Sequence, residues 1–91
     1  MHAVVVRVKI TDPVSAQDQL QNEVVPRVSS APGFQAGYWT RAEDGGNANG
    51  LSVIVFDSEE NARTAAERIP QGLPQGVTLE DVQVREVVAS A

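Results

Sequence analysis

A chain of 91 residues is the size of one domain, since two cores of half that length would each bury too little apolar surface to hold together. Its 42% apolar and 21% charged residues are those of a folded globule, and 12 acidic against 7 basic residues, a net charge of −5, set it against nucleic acid, whose phosphates it would repel. The absence of cysteine excludes disulfides, thiolate chemistry and cysteine-bound metal. Arg7 and Lys9 interrupt the first apolar stretch and no run approaches the ~20 residues of a membrane span, so neither a signal peptide nor a membrane partner is expected, and the expected location is the cytoplasm.

Ala3 to Ile10 alternates as a strand, with Val4, Val6, Val8 and Ile10 on one face and Ala3, Val5, Arg7 and Lys9 on the other. Thr11-Asp12-Pro13 then opens a helix: Asp12 can accept from free backbone N–H groups, and a proline at the first helical position forfeits no bond. Leu20, Val24 and Val28 recur at spacing four with Ala16 and Val25 beside them, and Pro26 is expected to kink the helix. Ala31-Pro32-Gly33 ends it. The second strand starts at Phe34, whose period-two phase places Ala36, Tyr38 and Thr40 on the same face and Gln35, Gly37, Trp39 and Arg41 on the other. Glu43 to Gly50 is a turn-rich hairpin loop, Leu51 to Phe56 the third strand, and Asp57-Ser58-Glu59-Glu60 a capped start for a second helix with Ala62, Ala65, Ala66 and Ile69 as its buried stripe. Pro70 to Gly76 reads as loop. The last strand runs from about Val77 to Val88, with Thr78-Leu79-Glu80-Asp81 breaking its phase as a bulge would.

Strand, helix, strand, strand, helix, strand is the order of an α+β ferredoxin-like fold: a four-stranded antiparallel sheet with both helices on one face, here a single domain over residues 1–91. If Phe34 and the Val4 face meet the helices, the opposite face collects Val5, Trp39, Leu51, Val53 and Val55 together with Arg7 and Arg41. That surface is too apolar to leave in water and is expected to close a sheet-on-sheet homodimer, with Trp39 as an anchor and Arg7 in an ion pair across the interface, to a partner such as Asp57 or Glu86, an anionic ligand being the alternative.

Two stretches resemble the dimeric α/β-barrel proteins, and among them the group named after antibiotic-biosynthesis monooxygenases. One is Ala31-Pro32-Gly33-Phe34, leading from the first helix into the second strand; the other is Val53-Ile54-Val55-Phe56-Asp57-Ser58-Glu59-Glu60-Asn61-Ala62, leading from the third strand into the second helix. The resemblance spans nearly the whole chain. It implies a homodimer of face-to-face sheets and a pocket in each subunit between its own helices and sheet, with Val6, Phe34, Tyr38 and Phe56 as candidate lining residues. Activities in the group run from cofactor-free oxygenation of aromatic polyketides to haem breakdown. The haem-degrading members carry an amide on strand one, a tryptophan at the end of strand three and a histidine on helix two; the matching positions here are Val6, Phe56 and no histidine, so no cofactor is expected.

Little in the sequence points to chemistry beyond that. His2 is the single histidine, which rules out a histidine metal cluster or a Ser-His-Asp arrangement within one chain. Glu59 and Glu60 suit a helix start, Glu43-Asp44 a loop, and the glycine-rich 44–50 segment lacks the Lys-Ser/Thr ending of a phosphate loop. Tyr38, directed on its phase into the helix-covered side, is the polar candidate for a ligand carbonyl. The functional expectation is a homodimeric domain that binds a small apolar or aromatic compound, a cofactor-independent monooxygenase if it is an enzyme. The alternative is a non-catalytic dimerisation or interaction module. The first requires that Leu20, Val24, Ala62 and Ile69 leave space between helices and sheet.

Overall fold

The valine-rich first segment becomes the strand that both neighbours need. In the computed structural model, which describes residues 1–45, 47–73 and 75–91, the four strands lie in the order β2-β3-β1-β4 and every pairing is antiparallel. β1 (His2–Ile10) is interior to the sheet, between β3 (Asn47–Phe56) and β4 (Val77–Glu86), while β2 (Phe34–Asp44) forms the outer edge beyond β3. Val4 stands opposite Ile54 on one side and Val84 on the other, and this row is the heart of the core: Val4 and Ile54 are fully buried. Val6, Phe56, Val28, Ala62 and Ala65 complete the buried cluster on the same, helix-covered face.

The first helical run opens with Asp12 Oδ1 accepting from the Ser15 N–H at 3.3 Å and with Pro13 at the first helical position. It has three parts: α1 (Pro13–Gln19), a π turn (Leu20–Val24) and α2 (Val25–Ser29). Pro26 accounts for the middle one. It offers no N–H to the ladder, and the turn ahead of it widens so that the Val25 N–H donates to Leu20 O, five residues back. The expected kink is therefore a change of helical register. The second run is α3 (Glu59–Arg68), whose Asn61 N–H donates to Ser58 Oγ at 3.2 Å, continued by a 3-10 turn (Ile69–Gly72).

The two stretches that carry the family resemblance form one joint. Gly33, at φ +78, turns the chain from α2 into β2, and its carbonyl accepts from the Asp57 N–H at 2.9 Å. A Cβ at Gly33 would run into Asp57 Oδ1 and Asn61 Nδ2, which hydrogen-bond each other at 2.9 Å. Phe34 and Phe56, which follow and precede this joint, meet edge to face with ring centroids 6.3 Å apart.

Two bulges set which side chains face where. On β4, Asp81 lies opposite Arg7 and Leu79 opposite Val8, so Glu80 is the extra residue, in the stretch where the sequence loses its alternation. On β2, Phe34 lies opposite Phe56 and Ala36 opposite Val55, which makes Gln35 extra. Beyond Gln35 the phase is inverted relative to the sequence expectation. Tyr38 and Thr40 point to the open face, and Trp39 lies under the helices, packed against the core. The hairpin that follows is longer in strand than expected, β2 reaching Asp44 and β3 starting at Asn47; Gly46 within the expected loop, and Pro74 within the expected Pro70–Gly76 loop, lie outside the described residues.

Candidate functional site

Between the sheet and the first helical run lies a cavity of about 230 Å³. Val6, Val8 and Ile54 form its floor, Ala16, Leu20 and Val24 its roof, and Ile69, Leu73 and Val77 its far side. It exists because small residues stand where large ones would close it. Ala16 faces it from α1, and Gly50 and Ser52 face it from β3. Trp39 does not fill the space either: its six-membered ring leans back over Gly37, where a Cβ would come within 2.7 Å of Cη2 and 2.9 Å of Cζ3. Leu20, Val24 and Ile69 thus serve as walls, and only Ala62, wholly buried in the core, leaves no room beside it. An apolar cavity of ~150 Å³ is enough to take up benzene, so this one is on the scale of a two-ring aromatic or a short aliphatic chain.

The loop after α3 is strapped to the first helical run at this end of the domain. Arg27 Nη2 donates to Gly72 O at 2.6 Å, and the Gln75 N–H donates to Gln19 Oε1 at 2.9 Å. The Thr11 and Asp12 N–H groups both donate to Gly76 O, at 2.6 and 3.1 Å. Arg27, Ser30 and Arg68 line a second, more exposed cleft of about 520 Å³ between α2 and α3, with Phe56 and Ala65 at its base. Cavity and cleft share Val24, Val28, Ile69 and Leu73 as a common wall.

Polar side chains around the cavity are few, and the only charged one among the described residues is a cation, Arg41. Gln17, Trp39, Arg41 and Ser52 line it, and no carboxylate does among the described residues. Of the expected lining residues, Val6 is in the floor, Phe56 belongs to the outer cleft, and Phe34, held against Phe56, borders neither. Tyr38 is turned away: it is 66% exposed on the open face, and Trp39 occupies the inward position that the sequence phase assigned to it. The extra residue at Gln35 is the physical reason for both corrections. The residues that sequence reasoning passed over are Ala16, Gly50 and Ser52, whose signal is small size at inward-facing positions; Arg41, expected on the open face with Trp39, shares the inward phase of Trp39 instead.

The open face carries Val5, Arg7, Leu51, Val53 and Val55 as expected from β1 and β3, in cross-strand rows Tyr38–Val53–Val5, Thr40–Leu51–Arg7 and Ala36–Val55–Ala3. Within the chain Arg7 stands opposite Asp81. Leu51 remains 40% exposed. His2 Nε2 lies 3.4 Å from Glu59 Oε2, which places it against the start of α3. Among the described residues no helix is long and apolar enough to cross a membrane, and no cluster of three or more His, Cys, Asp or Glu is placed to hold a metal ion.

An antiparallel sheet in the order β2-β3-β1-β4 with two helical runs on one face defines the ferredoxin-like class of α+β domains. The chain superposes on the crystal structure of a dimeric ferredoxin-like protein from an uncultured marine organism with a TM-score of 0.64, covering 100% of this chain and 98% of that one at 14% sequence identity. At that identity the likeness is one of fold. No protein-family model matches the chain, and no curated protein matches it.

Proposed function

We propose that this chain is a small-molecule-binding domain that works as a homodimer, taking an apolar or aromatic compound into the cavity between its helices and sheet. The observation that carries the reading is the cavity itself: about 230 Å³ bounded by aliphatic walls and edged by a few donor groups, the composition expected of a small-ligand site. The homodimer rests on the open face, where Tyr38, Val53, Val5 and Leu51 form one apolar band, and on the similar structure's description as a dimer. The resemblance to antibiotic-biosynthesis monooxygenases names the reaction to assay first, oxygenation of an electron-rich aromatic such as an anthrone by O2 without a cofactor.

Trp39 is the single tryptophan and it lines the cavity, so its indole N–H gives one isolated NMR resonance that reports occupancy. Titration with a two-ring aromatic is expected to shift that resonance saturably while resonances of the open face stay in place. An indole resonance that does not move up to the solubility limit of the ligand refutes the reading. The second reading, a non-catalytic dimerisation module, is favoured by the Tyr38–Val53–Val5 row, and it is the one left standing if the dimer forms and no ligand shifts Trp39.

A further inference from the structure

We infer that the ligand of this cavity is a hydrophobic anion, an aromatic or short aliphatic carboxylate or an equivalent oxyanion, whose charged group is received by Arg41; the inference rests on the proposed function and specifies its substrate class. The first observation is the distribution of charge. The protein is acidic overall, with 12 acidic and 7 basic residues, yet Arg27, Arg41 and Arg68 line the cavity and its adjoining cleft, and none of the acidic residues does among those described. A site for a cation calls for a carboxylate at its edge. This one has arginines instead, beside the neutral Gln17 and Ser52.

The second observation is local. Arg41 lies on β2 opposite Gly50, with Val8 the next residue across the sheet, so its Cα sits at the border of the aliphatic floor. Gly50 has no side chain to screen it from the cavity, and a Cβ there would come within 2.9 Å of Val8 Cγ2. Among the described residues Arg41 has no carboxylate contact; the two contacts of this kind found there, from His2 and Arg63, are both to Glu59. Ser52 and Gln17 add neutral donors on the same cavity. A planar guanidinium receives a carboxylate through two parallel hydrogen bonds, which fixes the orientation of the ring or chain behind it.

The test compares two probes with the same ring system, 2-naphthoate and 2-naphthylmethanol, by the Trp39 indole resonance and by calorimetry. Because Arg41 is exposed, the expected preference of the wild type for the acid is about tenfold, at the modest end of a charge-assisted bond. Arg41→Gln is expected to erase that preference by weakening the acid much more than the alcohol, and Arg41→Lys to keep part of it. Equal affinities for the two probes, or a preference that survives Arg41→Gln, overturn the inference while the cavity reading stands. Loss of the preference in Arg68→Gln but not in Arg41→Gln overturns the assignment to Arg41. Failure of both probes to bind overturns the proposed function and this inference with it.

Discussion

Replacing Tyr38 by glutamate tests the dimer without touching the subunit's own core. The side chain is 66% exposed in the single chain, so the variant should fold as the wild type does. An aromatic side chain buries about 200 Å² when fully covered, and two thirds of that, at ~25 cal/mol per Å² and with the hydroxyl discounted, comes to about 2 kcal/mol for each copy. A two-fold interface contains the residue twice, so the loss is about 4 kcal/mol, or about a thousandfold in the dimer dissociation constant. Burying two new carboxylates across the Val53 row can only add to it. Sedimentation velocity over a wide concentration range reads the constant directly, and circular dichroism confirms that the variant is folded. A wild type that sediments as a monomer throughout refutes the reasoning, and so does a Tyr38→Glu dimer as tight as the wild type.

Two further substitutions probe the cavity and the joint behind it. Ser52→Val adds apolar volume to the cavity from a strand position that favours branched side chains; it is expected to stabilise the fold by about 1 kcal/mol, raising the melting temperature by about 4–8 °C, while weakening any ligand that shifts Trp39. A lower melting temperature would mean that the space is already filled. Gly33→Ala forces a side chain into a left-handed backbone position and against Asp57 and Asn61, and is expected to cost at least about 2 kcal/mol in chemical denaturation, with Asp57→Ala in the same background recovering part of the loss. Identical stabilities of wild type and Gly33→Ala would show that the joint has slack.

The order of the six elements was legible because each rests on local physics: alternation in β1, a proline-opened and glycine-closed first helical run, a serine cap before α3. The bulge in β4 was legible for the same reason, since Glu80 and Asp81 visibly break the alternation of Val77, Leu79, Val82 and Val84. The bulge in β2 was not. Gln35 sits between Phe34 and Ala36 in a stretch that alternates without interruption, and every residue from Ala36 to Arg41 is tolerable on either face by polarity alone. What selects the inverted phase is tertiary. The joint of Gly33 with Asp57 and Asn61 fixes where β2 begins, and the edge-to-face contact with Phe56 keeps Phe34 against the helices.

That inversion decides the character of the site. With Trp39 and Arg41 on the inward phase, the cavity gains an indole, packed over Gly37, and an arginine at its border; with Tyr38 inward it would have had a phenol and no arginine from β2. The same step puts Tyr38 on the open face, where it extends the Val53 and Val5 row that a partner sheet would cover. One extra residue at Gln35 therefore sets the chemistry of the cavity and the shape of the proposed interface together. Deleting Gln35 leaves Phe34 opposite Phe56 and Ala36 opposite Val55 in plain alternation, so Trp39 should stay inward and its indole resonance should keep its response to ligand. Inserting a second residue beside Gln35 should instead push the indole to the open face and abolish that response, or cost stability where the joint and the Phe34–Phe56 contact hold the register. A deletion variant whose indole no longer responds to ligand would refute this reading of the register.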